Sequence, residues 1–187
     1  MSFFRSLRKK NIPKTDSDAI FSLSSAYITL ETKLGLKSTG RCALSFKSTS
    51  GMYFAEMKDE IQRFLDISKT DFELAYRIIT DSYGYLWIIL EGKSMEGILA
   101  GISAIGDTIE EKGFSSQLLA AVFEFNNGKD VQYLIYSYKR NKFYPFVRAG
   151  EKMINTEEDM KIMAAIIDEV PFEKDMTFWY PMWDMPF

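Results

Sequence analysis

Between residues 15 and 34, Ile20, Leu23, Tyr27, Leu30 and Leu34 recur at steps of three and four. That spacing predicts one helix with a buried stripe, opened by the TDSD run at 15–18 and stopped by Gly35. Residues 41–47, RCALSFK, alternate Cys42, Leu44 and Phe46 on one side, which predicts a short strand. A second helix follows, with Phe54, Met57, Ile61, Phe64 and Leu65 on its inner face and a charged outer face. Residues 72–80 and 85–91 are rich in β-branched and aromatic residues, and the DSYG between them has hairpin chemistry. Ser94 is placed to cap a helix whose stripe is Ile98, Leu99, Ile102, Ile105 and Ile109, with Gly113 as its stop. Three strands are expected next, at 118–125, 131–138 and 142–147, and Pro145 argues that the third is an edge, because proline cannot donate to a ladder. Asn155 or Thr156 opens a last helix with acids in its first turn and Met160, Met163, Ile166 and Ile167 inside, ended by Pro171.

The resulting order, α-β-α-β-β-α-β-β-β-α, contains more hairpins than crossovers. It predicts an α+β fold in two layers, a mainly antiparallel sheet with helices on one face. Residues 15–187 are expected to form this single domain, aromatic end included. Residues 1–14 are expected to stand apart as a basic segment, flexible or peripheral.

Charge sharpens that division. The chain has 23 basic and 26 acidic residues, but Arg5, Arg8, Lys9, Lys10 and Lys14 all precede the first acid. Without those five, 18 basic residues face 26 acids, a net charge of -8, which would repel phosphate backbones and argues against a nucleic-acid partner. Phe3, Phe4 and Leu7 lie close on a helical wheel among Arg5, Arg8, Lys9 and Lys10, a pattern suited to an anionic membrane surface or an acidic partner. The single cysteine, Cys42, allows no intramolecular disulfide, so a reducing, cytoplasmic setting is expected. No apolar run approaches the ~20 residues of a spanning helix, and no signal-peptide core follows the basic start.

The chemistry is defined by what is missing. There is no histidine, the commonest general base and metal ligand near neutral pH. With one cysteine besides, no metal and no cofactor are expected. The GKS at 92–94 lacks the earlier glycine of a phosphate loop, Trp87 standing in its place. Carboxylates remain: Asp81 with Asp107, Glu110 and Glu111 would be an acid and base pair, but a turn former and a charged helix face account for them better. Gly97 and Gly101 are read as allowing close packing of their helix on the sheet. The aromatic end, FWYPMWDMPF at 178–187, cannot form a regular element around Pro181. It is expected to fold back over the sheet, leaving at most Met185 to Phe187 for a partner.

Several stretches together resemble a known family: SAYITLE at 25–31, RCALSF at 41–46, DSYGYLW at 81–87, LLAAVF at 118–123, YLIYSYKRNKFYPF at 133–146 and WYPMW at 179–183. In this order they are similar to the archaeal PspA-associated protein B (PspAB) family, whose pattern ends in a longer proline-rich tail. The resemblance implies association with the phage-shock-protein A system, whose coiled-coil member coats stressed membranes, and a link to an HtpX-like membrane protease. It implies no catalytic residues. The element order also resembles secretion-chaperone-like folds, with one extra helix. Two functions follow. One is a non-enzymatic adaptor or chaperone-like protein of the cytoplasm, peripheral at the inner face of the membrane, with a homodimer left open. The other is a small-ligand domain or carboxylate hydrolase with a pocket of Tyr83, Tyr85, Trp87, Tyr133 and Tyr136.

Overall fold

The computed structural model describes residues 17–71 and 73–186. The stripe expected from 15 to 34 is divided into α1 (Ser17–Phe21) and α2 (Leu23–Leu34). Ser22 explains the break: its hydroxyl donates back to the carbonyl of Ala19, a bond that bends helices. Gly35, at φ 67°, closes α2 with its N–H on Glu31. Strand β1 (Lys37–Lys47) begins four residues earlier than the alternation suggested. Then come α3 (Met52–Asp71), β2 (Ala75–Thr80) and β3 (Tyr85–Glu91). On α3, Phe54, Met57, Ile61 and Leu65 are buried and Phe64 is half-buried, as the periodicity requires.

Ser94 does cap α4 (Met95–Glu111), its side chain accepting the N–H of Gly97. At the other end Gly113 donates to Glu110 and Phe114 to Ile109, a Schellman closure. Of the two glycines read as packing sites, only Gly101 meets the sheet side: a methyl there would lie 2.9 Å from Leu90 and 3.0 Å from Leu74. Three further strands, β4 (Leu118–Asn126), β5 (Val131–Ser137) and β6 (Lys142–Gly150), precede the two-residue β7 (Met153–Ile154) and α5 (Thr156–Ile166). Among the described residues seven strands pair antiparallel in the order β2-β3-β1-β4-β5-β6-β7.

Burial divides by strand parity. Cys42, Leu44, Phe46, Ile88, Leu90, Phe123, Leu134, Tyr136 and Phe143 point into one core with the helices. Ala43, Trp87, Ile89, Val122, Tyr133, Ile135, Tyr144 and Phe146 form a second core on the opposite face. Among the described residues no helix joins that second core. It is covered by the chain end, with Met185 buried in it and Trp179, Met182 and Trp183 packed against it.

A bulge interrupts β1 between Ser38 and Cys42, where Thr39, Gly40 and Arg41 together oppose Glu124. Arg41 grips the buried Glu124 carboxylate with two nitrogens, at 2.9 and 2.7 Å. Gly40 sits at φ 80°, its carbonyl accepts the N–H of Gly92, and a Cβ there would lie 2.4 Å from that residue's oxygen. Both the conformation and the space therefore demand glycine. Gly40→Ala should cost at least about 2 kcal/mol, read as a lowered urea midpoint at unchanged slope.

Candidate functional site

The outer edge of β6 is where the backbone accounting becomes informative. In an antiparallel ladder every second residue turns its N–H and C=O away from the partner strand. On β6 these are Phe143, Pro145 and Val147. Phe143 donates to the carbonyl of Pro171 and accepts from Glu173, both at 2.8 Å. Val147 donates to Asp159 Oδ1 and accepts from Asn155, again at 2.8 Å. Pro145, between them, has no N–H to place. The expected edge is therefore patched at both ends by other chain segments and left open at the proline. Pro171 is the lower patch and does not end α5, which has already stopped at Ile166.

At this opening lies a cavity of about 90 Å³. Tyr144, Phe146, Trp179 and Tyr180 supply its rings, and Asp159 its charge. Asn155 caps α5 by accepting from Glu158, which orients the first turn and sets Asp159 one turn in, facing the strand. The residue is only 3% exposed. Burial pushes its carboxyl up to about 6, against the Val147 hydrogen bond, which pulls it down. Burial likewise pushes the Tyr144 phenol up, and its hydroxyl donates to the carbonyl of Tyr180 at 3.1 Å.

From this cavity the chain end runs as a strap over the second face. Its root is the buried Glu173, which accepts from Arg140 at 2.7 Å and from the N–H of Asp175. Burial raises the Glu173 pKa, but the Asp175 N–H, Arg140 and Lys142 outweigh that and hold it below the usual carboxylate range. Trp179 donates its indole N–H to the carbonyl of Glu173. Farther along, Arg148 donates to the carbonyls of Met182 and Trp183 at 3.1 and 3.0 Å, and Trp183 meets Phe146 edge-on. Asp184 reaches the hydroxyl of Tyr83, beside β3. The strap thus crosses from β6 to the far side of the sheet.

These positions revise the residues singled out by sequence. Met185 is no free handle: it is buried against the second core. Phe187, and the segment bearing Phe3, Phe4, Arg5, Leu7, Arg8, Lys9 and Lys10, lie outside the described residues. The five-residue aromatic pocket does not assemble. Tyr133 and Tyr136 are an odd number of residues apart, so they face opposite sides, and Tyr136 belongs to the helical core. Trp87 shares a face with Tyr133 but stands three strands away, roughly 14 Å, and its indole donates to Asp81. Tyr83 and Tyr85 are exposed at the hairpin. Asp81 receives the N–H groups of Tyr83 and Tyr85 as well, so its role is to hold the turn. Asp107 lies on α4, raised by burial and by Glu110 and Glu111. Among the described residues no group of three or more Cys, Asp and Glu is placed to hold a metal.

Sequence reasoning missed Asp159, taking it for a first-turn acid. The signal was present: 159, 162 and 166 step by three and four, which puts an acid on the inner stripe. Glu124 was missed in the same way, as an acid continuing the inward alternation of Ala120 and Val122.

The fold is thus an α+β sheet protein whose site is an apolar, aromatic-walled edge closed by its own chain end. The chain belongs to the family described as PspA associated protein B, whose model matches residues 1–187. No curated protein and no solved structure matches it. Among the described residues no helix is long and apolar enough to cross a membrane.

Three measurements check the site. Trp183→Ala should lose about 2 kcal/mol in urea denaturation, and truncation after Val170 should leave an aggregating chain, because the second core would face water. Asp159→Asn remains neutral and still offers Val147 an acceptor. A carboxyl near 4 when unfolded and about 6 when folded costs stability as pH rises through that window. The variant should therefore gain in Tm over the wild type between pH 4 and 6, levelling at about 3 kcal/mol or less, whereas parallel Tm profiles would contradict the assignment.

Proposed function

We propose that this protein is a non-enzymatic adaptor of the PspA membrane-stress system, binding a PspA-like coiled-coil protein through its surface. The observation that carries this reading is the match of the whole chain to a family described by its association with PspA. Its chemistry agrees: without histidine, the carboxylates offered as an acid and base pair are committed to a turn or spread on one helix. On α3, Met52, Tyr53 and Ile67 are exposed outside both cores, apolar contacts available to a partner. In this reading the adaptor works in the cytoplasm, with residues 1–12 attracted to the anionic inner leaflet and an HtpX-like protease as a second partner. A small-ligand reading has one observation in its favour, the Asp159 cavity.

Affinity capture tests the adaptor. The full chain, immobilised, should retain the PspA-like protein encoded in the same organism at micromolar concentration, and failure to retain it at tens of micromolar would overturn the reading. Deleting residues 1–12 should reduce sedimentation with phosphatidylglycerol vesicles severalfold at low salt, an effect screened at high salt.

A further inference from the structure

The cavity at the Pro145 opening carries a negative charge and no cationic side chain. Its acceptors are the Asp159 carboxylate and, by the alternation of the ladder, the carbonyl of Pro145, which receives no hydrogen bond among the described residues. None of the ten lining residues is Lys or Arg. Of the donors in the lining, the Tyr144 hydroxyl is used by Tyr180 and the Trp179 indole by Glu173, while the hydroxyls of Thr156 and Tyr180 can accept as well as donate. Four aromatic residues, Tyr144, Phe146, Trp179 and Tyr180, make up much of the remaining wall.

Such a lining selects its occupant. An anion would be repelled by Asp159, and a purely apolar group would leave buried acceptors without donors. A compact cation with N–H donors and a short alkyl stem satisfies both, because ring faces attract cations as well as burying methylenes. Size narrows the choice further. About 90 Å³ holds roughly three waters' worth of matter, enough for an ammonium and a few methylenes. One Asp159 oxygen already accepts from Val147, which favours a single-point donor over the paired fork of a guanidinium.

We propose that this cavity binds an alkylammonium group, the end of a lysine side chain presented by a partner protein, with Asp159 as counter-ion and Trp179 and Tyr180 as ring walls. The exposed Ile154, Met176 and Tyr180 at its border would flank the lysine stem. That the group arrives on a partner rests on the adaptor reading; the preference for an ammonium does not.

Titration of the full chain with n-butylammonium at pH 7.5, followed by NMR, tests the cavity. Saturable millimolar shifts are expected at the Trp179 indole and the Val147 and Thr156 amides. Neutral n-butanol should bind at least tenfold more weakly. Asp159→Asn should lose at least tenfold, Tyr180→Ala severalfold, and Asp59→Asn, outside the cavity, nothing. Flat titrations, or equal binding of butanol or by Asp159→Asn, overturn the proposal. Nα-acetyl-lysine methylamide should bind as butylammonium does; its failure would assign the site to free amines and overturn the lysine assignment. In partner capture, Asp159→Asn should retain at least fivefold less PspA-like protein. Undiminished capture by this variant overturns the lysine assignment and leaves the adaptor standing. Absence of capture by wild type, with butylammonium still binding, sinks the adaptor and leaves the cavity's ammonium preference.

Discussion

Apolar side chains alternate to both sides of β1, β3, β4, β5 and β6, so a single short chain has to keep water from two surfaces. Helices α1 to α5 cover one of them in the ordinary way, by setting amphipathic stripes on a sheet. No helix among the described residues covers the other. Trp87, Tyr133, Tyr144 and Phe146 would form an exposed apolar patch far larger than soluble proteins tolerate, were the strap not laid across them. Each buried ring is worth on the order of 2–3 kcal/mol, so losing several would rival the whole stability of a domain.

A strap without regular structure must satisfy its own backbone and stay in place by other means. Here the anchors are polar and spaced: Glu173 at its root, Tyr144 under Tyr180, Arg148 under Met182 and Trp183. Between root and first anchor the strap passes the one point on β6 that proline leaves without a donor. The cavity is a by-product of that geometry, since nothing can pair with Pro145 as the segments beside it pair with Phe143 and Val147. Asp159 is what turns a packing defect into a site, because its charge is held where water is scarce.

The adaptor reading and this site are compatible without depending on each other. A family defined by association calls for surfaces, and the chain offers exposed apolar residues near the two ends of α3 as well as a small acidic recess at the other end of the sheet. The acidic balance of the body suits a partner that brings basic groups.

Much of this architecture was legible in the residues. Helix stripes at three and four, alternation along each strand and the Ser94 and Asn155 caps are local signals, and local backbone physics decides them. The same residues already said that the aromatic end would fold back, since so many rings cannot stay in water. What they could not say is which face it would cover. Strand parity places Tyr133 and Tyr136 on opposite sides, but only the order of strands tells which side the helices take, and with it that Trp87 and Tyr133 stand far apart under the strap. Asp159 is the sharpest case. Its position on the inner stripe was determined by sequence, whereas its meeting with Val147 and its raised pKa needed α5 to swing against the edge of β6. That contact joins chain segments through tertiary packing, and no pattern of neighbouring residues encodes it.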